Sequence, residues 1–171
     1  MGLPRILKNM VIFADGNSFA GESEEMTLPK LTRKTEAWRG GGLGGAVHVD
    51  LGLDDDALKA EWTIGGYPTQ ILRQFGAIGV DGVLLRFAGA FQRDDSEQID
   101  AVEIVLRGRH QEIDRGALKV GERNGTKIIT HCVYYKEVLN GATLAEIDVP
   151  NMIHIIDDVD LLAEQRRAIG R

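Results

Sequence analysis

The chain has 171 residues, 20 Lys+Arg against 26 Asp+Glu, and a formal net charge of −6. That length suits one domain with a sizeable core, and the acidic balance argues against a protein that grips nucleic acid through phosphates. A lone Cys132 excludes an intramolecular disulfide and a Cys-rich zinc site, and no run approaches the roughly 18 apolar residues of a membrane helix.

In chain order, Met1–Met10 lacks the apolar stretch of a secretory signal, and Met1-Gly2 lacks the Ser/Thr of a myristoylation signal. Asp15-Gly16-Asn17 is a turn signal. Residues 40–45 read Gly-Gly-Gly-Leu-Gly-Gly, which satisfies GxGxxG by letters. A dinucleotide site needs a helix to follow, so that its N-terminus holds the pyrophosphate. Here Val47, Val49 and Leu51 alternate with Ala46, His48 and Asp50, which predicts a strand instead. No Lys-Ser/Thr follows, so a P-loop fails too. Asp54-Asp55-Asp56 lacks EF-hand spacing and reads as a solvated turn.

Leu58, Ala60, Trp62 and Ile64 fall on one face of the next strand, and Lys59, Glu61 and Thr63 on the other. Pro68 to Phe75 predicts a helix, with proline at the first helical position, apolar Ile71, Leu72 and Phe75, and Gly76 as its stop. Val83 to Arg93 alternates through Val83, Leu85, Phe87, Gly89 and Phe91, and ends at the Asp94-Asp95-Ser96 turn. Val102, Ile104 and Leu106 mark a further strand. Thr126 to Leu139 is rich in β-branched and aromatic residues and predicts one strand of about 14 residues, roughly 45 Å long. Asn124-Gly125 and Asn140-Gly141 bracket it, which predicts consecutive antiparallel hairpins. The tail, Asp158 to Ala168, predicts a helix. Asp157, Asp158 and Asp160 suit its start, Arg166, Arg167 and Arg171 its end, and Val159, Leu162 and Ile169 its apolar stripe. The expected fold is mostly β (α+β): an antiparallel sandwich or barrel with one internal helix and a C-terminal helix.

A chemical site is not predicted. His48, His110, His131 and His154 are scattered without metal-ligand spacing, and no GxSxG elbow occurs. His131-Cys132 are neighbours on one strand, so their side chains point to opposite faces and cannot converge as a nucleophile pair. Asn124-Gly125-Thr126 is a formal glycosylation sequon that reads as a turn, and Glu22, Glu24 and Glu25 read as surface charge. No cofactor, metal or catalytic residue is expected, and binding or assembly is favoured over enzyme chemistry.

Gly40, Gly41, Gly42, Gly44 and Gly45 supply the one unusual feature. Ordering five glycines costs about 2.5–5 kcal/mol more than ordering alanines. Such a loop is expected to order against a partner. Residues 36–57 are read as a projecting hairpin that contacts a neighbouring subunit, through Trp38, Arg39, the five glycines, and Asp54, Asp55 and Asp56.

The stretch Met26-Thr27-Leu28-Pro29-Lys30-Leu31-Thr32-Arg33-Lys34-Thr35-Glu36-Ala37-Trp38-Arg39-Gly40-Gly41-Gly42 carries a family resemblance. So do Leu3 to Asn9, Phe13-Ala14-Asp15-Gly16-Asn17-Ser18-Phe19, and Tyr134-Tyr135-Lys136. Together they resemble the major tail tube proteins of contractile-tailed bacteriophages, a family shared with R-type bacteriocin tubes. The resemblance implies a single tail-tube domain over 1–171, with the hairpin and terminal arms reaching neighbours. It implies homohexameric rings that stack into a hollow tube, made in the host cytoplasm and carried in the virion. Its implied partners are the sheath protein, the tape-measure protein, the baseplate initiator and the tail terminator. DNA would pass through the lumen without specific binding. Glu61, Glu103 and Glu137 are then candidates for a channel wall that repels phosphate. The alternatives are a bacteriocin or defective-prophage tube, and a monomeric β-sandwich binding module.

Overall fold

A computed structural model describes residues 2–171. Met1, and with it the start of the signal and lipidation readings, lies outside the described residues. The chain begins with β1 (Ile6–Ala14), β2 (Asn17–Ser18), β3 (Ser23–Thr27), β4 (Arg33–Trp38), β5 (Val47–Leu53) and β6 (Lys59–Gly65). Helix α1 (Thr69–Gln74) precedes β7 (Val83–Gln92), β8 (Ile99–Asp114), β9 (Gly125–Leu139) and β10 (Ala142–Asp148). The chain closes with β11 (Ile153–Ile156), β12 (Val159–Asp160) and α2 (Ala163–Ala168).

The long strand predicted at Thr126–Leu139 is β9, and its length organises the fold. One edge of β9 pairs antiparallel with β8 along nearly its full 15 residues. The other edge is shared. Lys59–Gly65 of β6 takes the half from Gly125 to His131, and β10 takes Tyr134 to Leu139. The sheet therefore divides beyond β9 into a β6–β3 limb and a β10–β11–β12 limb. On the far side of β8 come β7, β1 and β2. β1 and β3 then approach each other. Ile12 donates its N–H to Ser23 Oγ at 3.1 Å, and Phe19 donates to the Ile12 carbonyl at 2.9 Å. No backbone ladder joins these strands, so the result is sandwich-like and not a closed barrel.

Alternation places the core between the limbs. Ala60, Trp62 and Ile64 of β6 meet Leu85 and Phe87 of β7, Ile104 and Leu106 of β8, and Ile128, Cys132 and Tyr135 of β9 in one buried cluster. Trp62 is only 1% exposed and donates its Nε1–H to Thr130 Oγ1 at 3.0 Å. Gly108 sits at a register shift between β8 and β9. A Cβ there would collide with the His131 carbonyl, so only glycine permits this approach.

The turn chemistry is partly as expected. Asp15-Gly16 and Asn140-Gly141 are two-residue hairpin turns with positive φ at both positions, 47° and 82°, and 49° and 84°. Asn124-Gly125 is not a tight turn. Residues 115–124 form a longer connection between β8 and β9, and Gly125 already pairs with Gly65. Helix α1 forms where predicted, but Pro68 is its N-cap and only Ile71 is buried. The tail helix is shorter than predicted. Asp157 and Asp158 have φ of 49° and 64°, which no helix accommodates, and they form the turn between β11 and β12. Asp160 lies in β12, accepts the Leu162 N–H at 3.1 Å and pairs with Arg166, so its charge serves side-chain contacts more than a helix dipole. Of the predicted apolar stripe, Val159 and Ile169 face outward and only Leu162 is half-buried. Among the described residues, no helix is long and apolar enough to cross a membrane.

Candidate assembly surface

β4 and β5 form a two-stranded sheet of their own, separate from the main sheet. The pairs Trp38–Val47 and Glu36–Val49 lie directly opposite each other. Side chains opposite in register share a face. One face of the hairpin therefore carries Trp38, Val47, Val49 and, two residues further on, Leu51. The alternation predicted for β5 is real, and its apolar face lies in solvent: Val47, Val49 and Leu51 are all exposed, and Trp38 is 63% exposed. An isolated two-stranded hairpin is marginal in water. This one is anchored at its base, where Asp54 N–H donates to the Thr32 carbonyl at 2.9 Å, and by the ion pairs Arg33–Asp50 at 3.2 Å and Lys34–Asp55 at 3.4 Å.

The predicted contact residues divide between the two ends of this hairpin. Arg39, Gly40, Gly41, Gly42, Gly44 and Gly45 form its tip. Asp54, Asp55 and Asp56 form the turn at its base, separated from the tip by the length of β5, about 20 Å. Only Gly42 has a φ, +84°, that favours glycine. Gly41, Gly44 and Gly45 adopt ordinary conformations with open space where a Cβ would stand.

The three glutamates also part company. Glu61 lies on the outward face of β6, beside Lys127 at 3.4 Å and Lys59 at 3.9 Å. Glu103 lies on the outward face of β8, 3.3 Å from Arg86. Glu137 pairs in register with the buried Ile104, so it points to the core side, where Tyr135 donates its hydroxyl at 2.7 Å. Burial, followed by this bond to Glu137, raises the Tyr135 phenol above its usual range. Glu137 therefore does not share a surface with the other two.

Other polar groups serve the fold. His110, in β8, is 5% exposed and contacts Thr130 Oγ1 at 2.9 Å and Gln74 Oε1 at 3.0 Å. Burial lowers its pKa to about 4, against the smaller opposing pull of Asp15. Cys132 is buried opposite the partly exposed His131, and burial pushes its thiol up to about 12, which leaves it unreactive. Among the described residues, no cluster of His, Cys, Asp or Glu has the makings of a metal site.

A second apolar surface lies at the α1 end. Tyr67, Leu72 and Phe75 are exposed there. The sequence pattern grouped Leu72 and Phe75 with Ile71 as the apolar residues of α1, and only Ile71 is buried. A helix of six residues with one inward position, Ile71, cannot bury both. The usable signal was the shortness of the segment between Pro68 and Gly76.

Residues 4–170 match the family described as phage tail tube protein FII. The chain belongs to this family. It is 49% identical over 171 residues to the tail tube protein of Escherichia phage P2, covering 99% of each chain. It is 36% identical over 165 residues to the major tail tube protein of Serratia phage KSP20, covering 96% of this chain and 95% of that one. Among solved structures, the Dit protein of phage SPP1 aligns with a TM-score of 0.41 and 13% identity, over 77% of this chain and 53% of that one, a likeness too weak to bear on the fold. The family resemblance carried by residues 26–42 is thus confirmed along the chain. This is a structural phage tail tube protein, a component of the virion, and its relatives are structural proteins and not enzymes.

Proposed function

We propose that this chain forms homohexameric rings that stack into the hollow tube of a contractile phage tail, through which the genome is delivered when the sheath contracts. The observation that carries this reading is the β4–β5 hairpin, which holds an apolar face in solvent with both strand edges unpaired. An exposed apolar strand surface is a liability in a monomer and an asset in an assembly.

The main sheet supports ring closure. Its path ends on one side at β1–β2, where Ile6 to Met10 lack a second neighbour, and on the other at β12. Unlike edges that meet head to tail give a heterologous contact, which closes into a ring when the rotation allows. In this reading residues 1–171 are one tail-tube domain, and residues 36–57 and the terminal arms reach neighbouring subunits. The sheath and tape-measure proteins meet the outer and inner walls, and the initiator and terminator cap the ends. Glu61 and Glu103 are already ion-paired. Repulsion of passing DNA therefore rests on the net charge of −6 carried by every subunit.

Cryo-electron microscopy of purified assemblies tests the proposal. Stacked six-fold rings around an open channel are the expected result. A chain that stays a monodisperse monomer at high concentration, with and without an initiator complex, would overturn it in favour of a monomeric binding module.

A further inference from the structure

The hairpin face and the α1 end carry complementary features. Leu72, Phe75, Ile113 and Arg115 line an open groove of about 280 Å³. The Arg115 guanidinium lies over the Tyr67 ring at 5.1 Å. Arg115 is half-buried in this apolar setting and takes part in no ion pair among the described residues. A cation so placed has lost hydration without gaining an anion.

The hairpin offers the reverse. Among Trp38, Val47, Val49 and Leu51 stands one carboxylate, Glu36, directly opposite Val49. It too is in no ion pair among the described residues, whereas nearby Lys34 is satisfied by Asp55. The groove lining therefore carries one unpaired cation and the apolar hairpin face one unpaired carboxylate. Glu36 and Trp38 are two residues apart on a strand, roughly 7 Å, a span that an arginine side chain covers. Trp and Arg are the residue types that most often anchor interfaces.

We propose that the β4–β5 hairpin of one copy docks on the α1 groove of a second copy, with the Trp38 indole filling the space between Leu72, Phe75 and Ile113, and Glu36 paired with Arg115. The inference rests on the tube reading and names the receiving surface. A second copy is the occupant because this chain carries both halves of the match. A contact between unlike surfaces of identical chains leaves one of each free, so it propagates.

Charge reversal tests the pairing. Glu36→Arg and Arg115→Glu each reduce tube mass, measured by sedimentation and negative-stain microscopy at fixed concentration, by about tenfold. The double variant restores it to within about twofold. Neither residue belongs to the buried core, and an unchanged monomer melting curve controls for folding. A cysteine pair gives an independent readout. Chains with Val47→Cys mixed with chains with Leu72→Cys form an inter-chain disulfide on mild oxidation, while native Cys132 stays silent because it is buried. If wild-type tubes form but the double variant is no better than the singles and no cross-link appears, the docking is wrong and the tube reading stands. If wild-type chains never assemble, both fall together.

Discussion

The Nε2–H of His110 donates to Gln74 Oε1 at 3.0 Å, and this bond ties α1 to the main sheet. Its direction is set from both ends. Gln74 Nε2 donates to Asp15 Oδ2 at 2.9 Å, which leaves Oε1 as the acceptor. His110 Nδ1 must then accept, from the Thr130 hydroxyl, which itself accepts from Trp62 Nε1–H. A one-way chain of hydrogen bonds runs from the core to the surface carboxylate of Asp15.

This chain makes stability pH-dependent. The folded pKa of His110 is lowered to about 4, below the unfolded value of 6.5, so the unfolded chain binds more protons between these values. The contribution is full above pH 6.5 and is lost as pH falls through 4. Between pH 7 and 4.5 the free subunit should lose about 2–3 kcal/mol from this group. Urea midpoints of wild type and His110→Gln, at both pH values, check it: the variant should lose much less over the same interval.

Gly108→Ala should destabilise the subunit by about 1–3 kcal/mol, because a methyl at the β8–β9 register shift meets the His131 carbonyl and the strands must part. Thermal or urea unfolding of the free subunit measures it. A neutral result would mean that the shift can move along the strands.

The tip glycines separate folding from assembly. Gly42→Ala should cost the free hairpin about 1 kcal/mol, since alanine is strained at a φ of +84°. Gly41→Ala and Gly44→Ala should leave the free subunit unchanged, because nothing lies within 4 Å of either Cβ position. If the tip packs closely against a neighbour, the same two substitutions reduce tube yield. Melting curves and sedimentation, run side by side, distinguish the effects.

Cys132 should resist thiol reagents in the folded subunit, since burial raises its pKa to about 12 and shields the sulfur. Ellman's reagent should report close to zero free thiol in buffer and one per chain in denaturant. Rapid labelling in buffer would show that β9 opens readily near its middle.

Period-two alternation made β6, β7 and β9 legible because one face of each is buried, and the pattern records that burial directly. It failed where burial and pattern part. Val47, Val49 and Leu51 alternate like a core strand yet face solvent, because sequence does not say which chain covers them. The tail misled through charge. Asp157 and Asp158 look like helix-start residues but occupy left-handed turn positions, a role that short polar side chains fill equally well. The division of β9 between β6 and β10 has no local signature, and neither has the β8–β9 register, which sets Glu137 opposite Ile104 and so on a different side from Glu103.

The bond between Asp54 N–H and the Thr32 carbonyl closes a loop in the chain. The chain leaves the body of the fold at Thr32 and returns to it at Asp54, two residues held within hydrogen-bonding distance. Everything between them is an excursion whose ends already meet. A short linker could bridge that point, and the buried cluster would lose only the Leu53 side chain that packs against its edge. With Leu53 kept in place against the core, the segment 34–52 is separable from the body that displays it, free to be shortened, retuned or exchanged without refolding the rest.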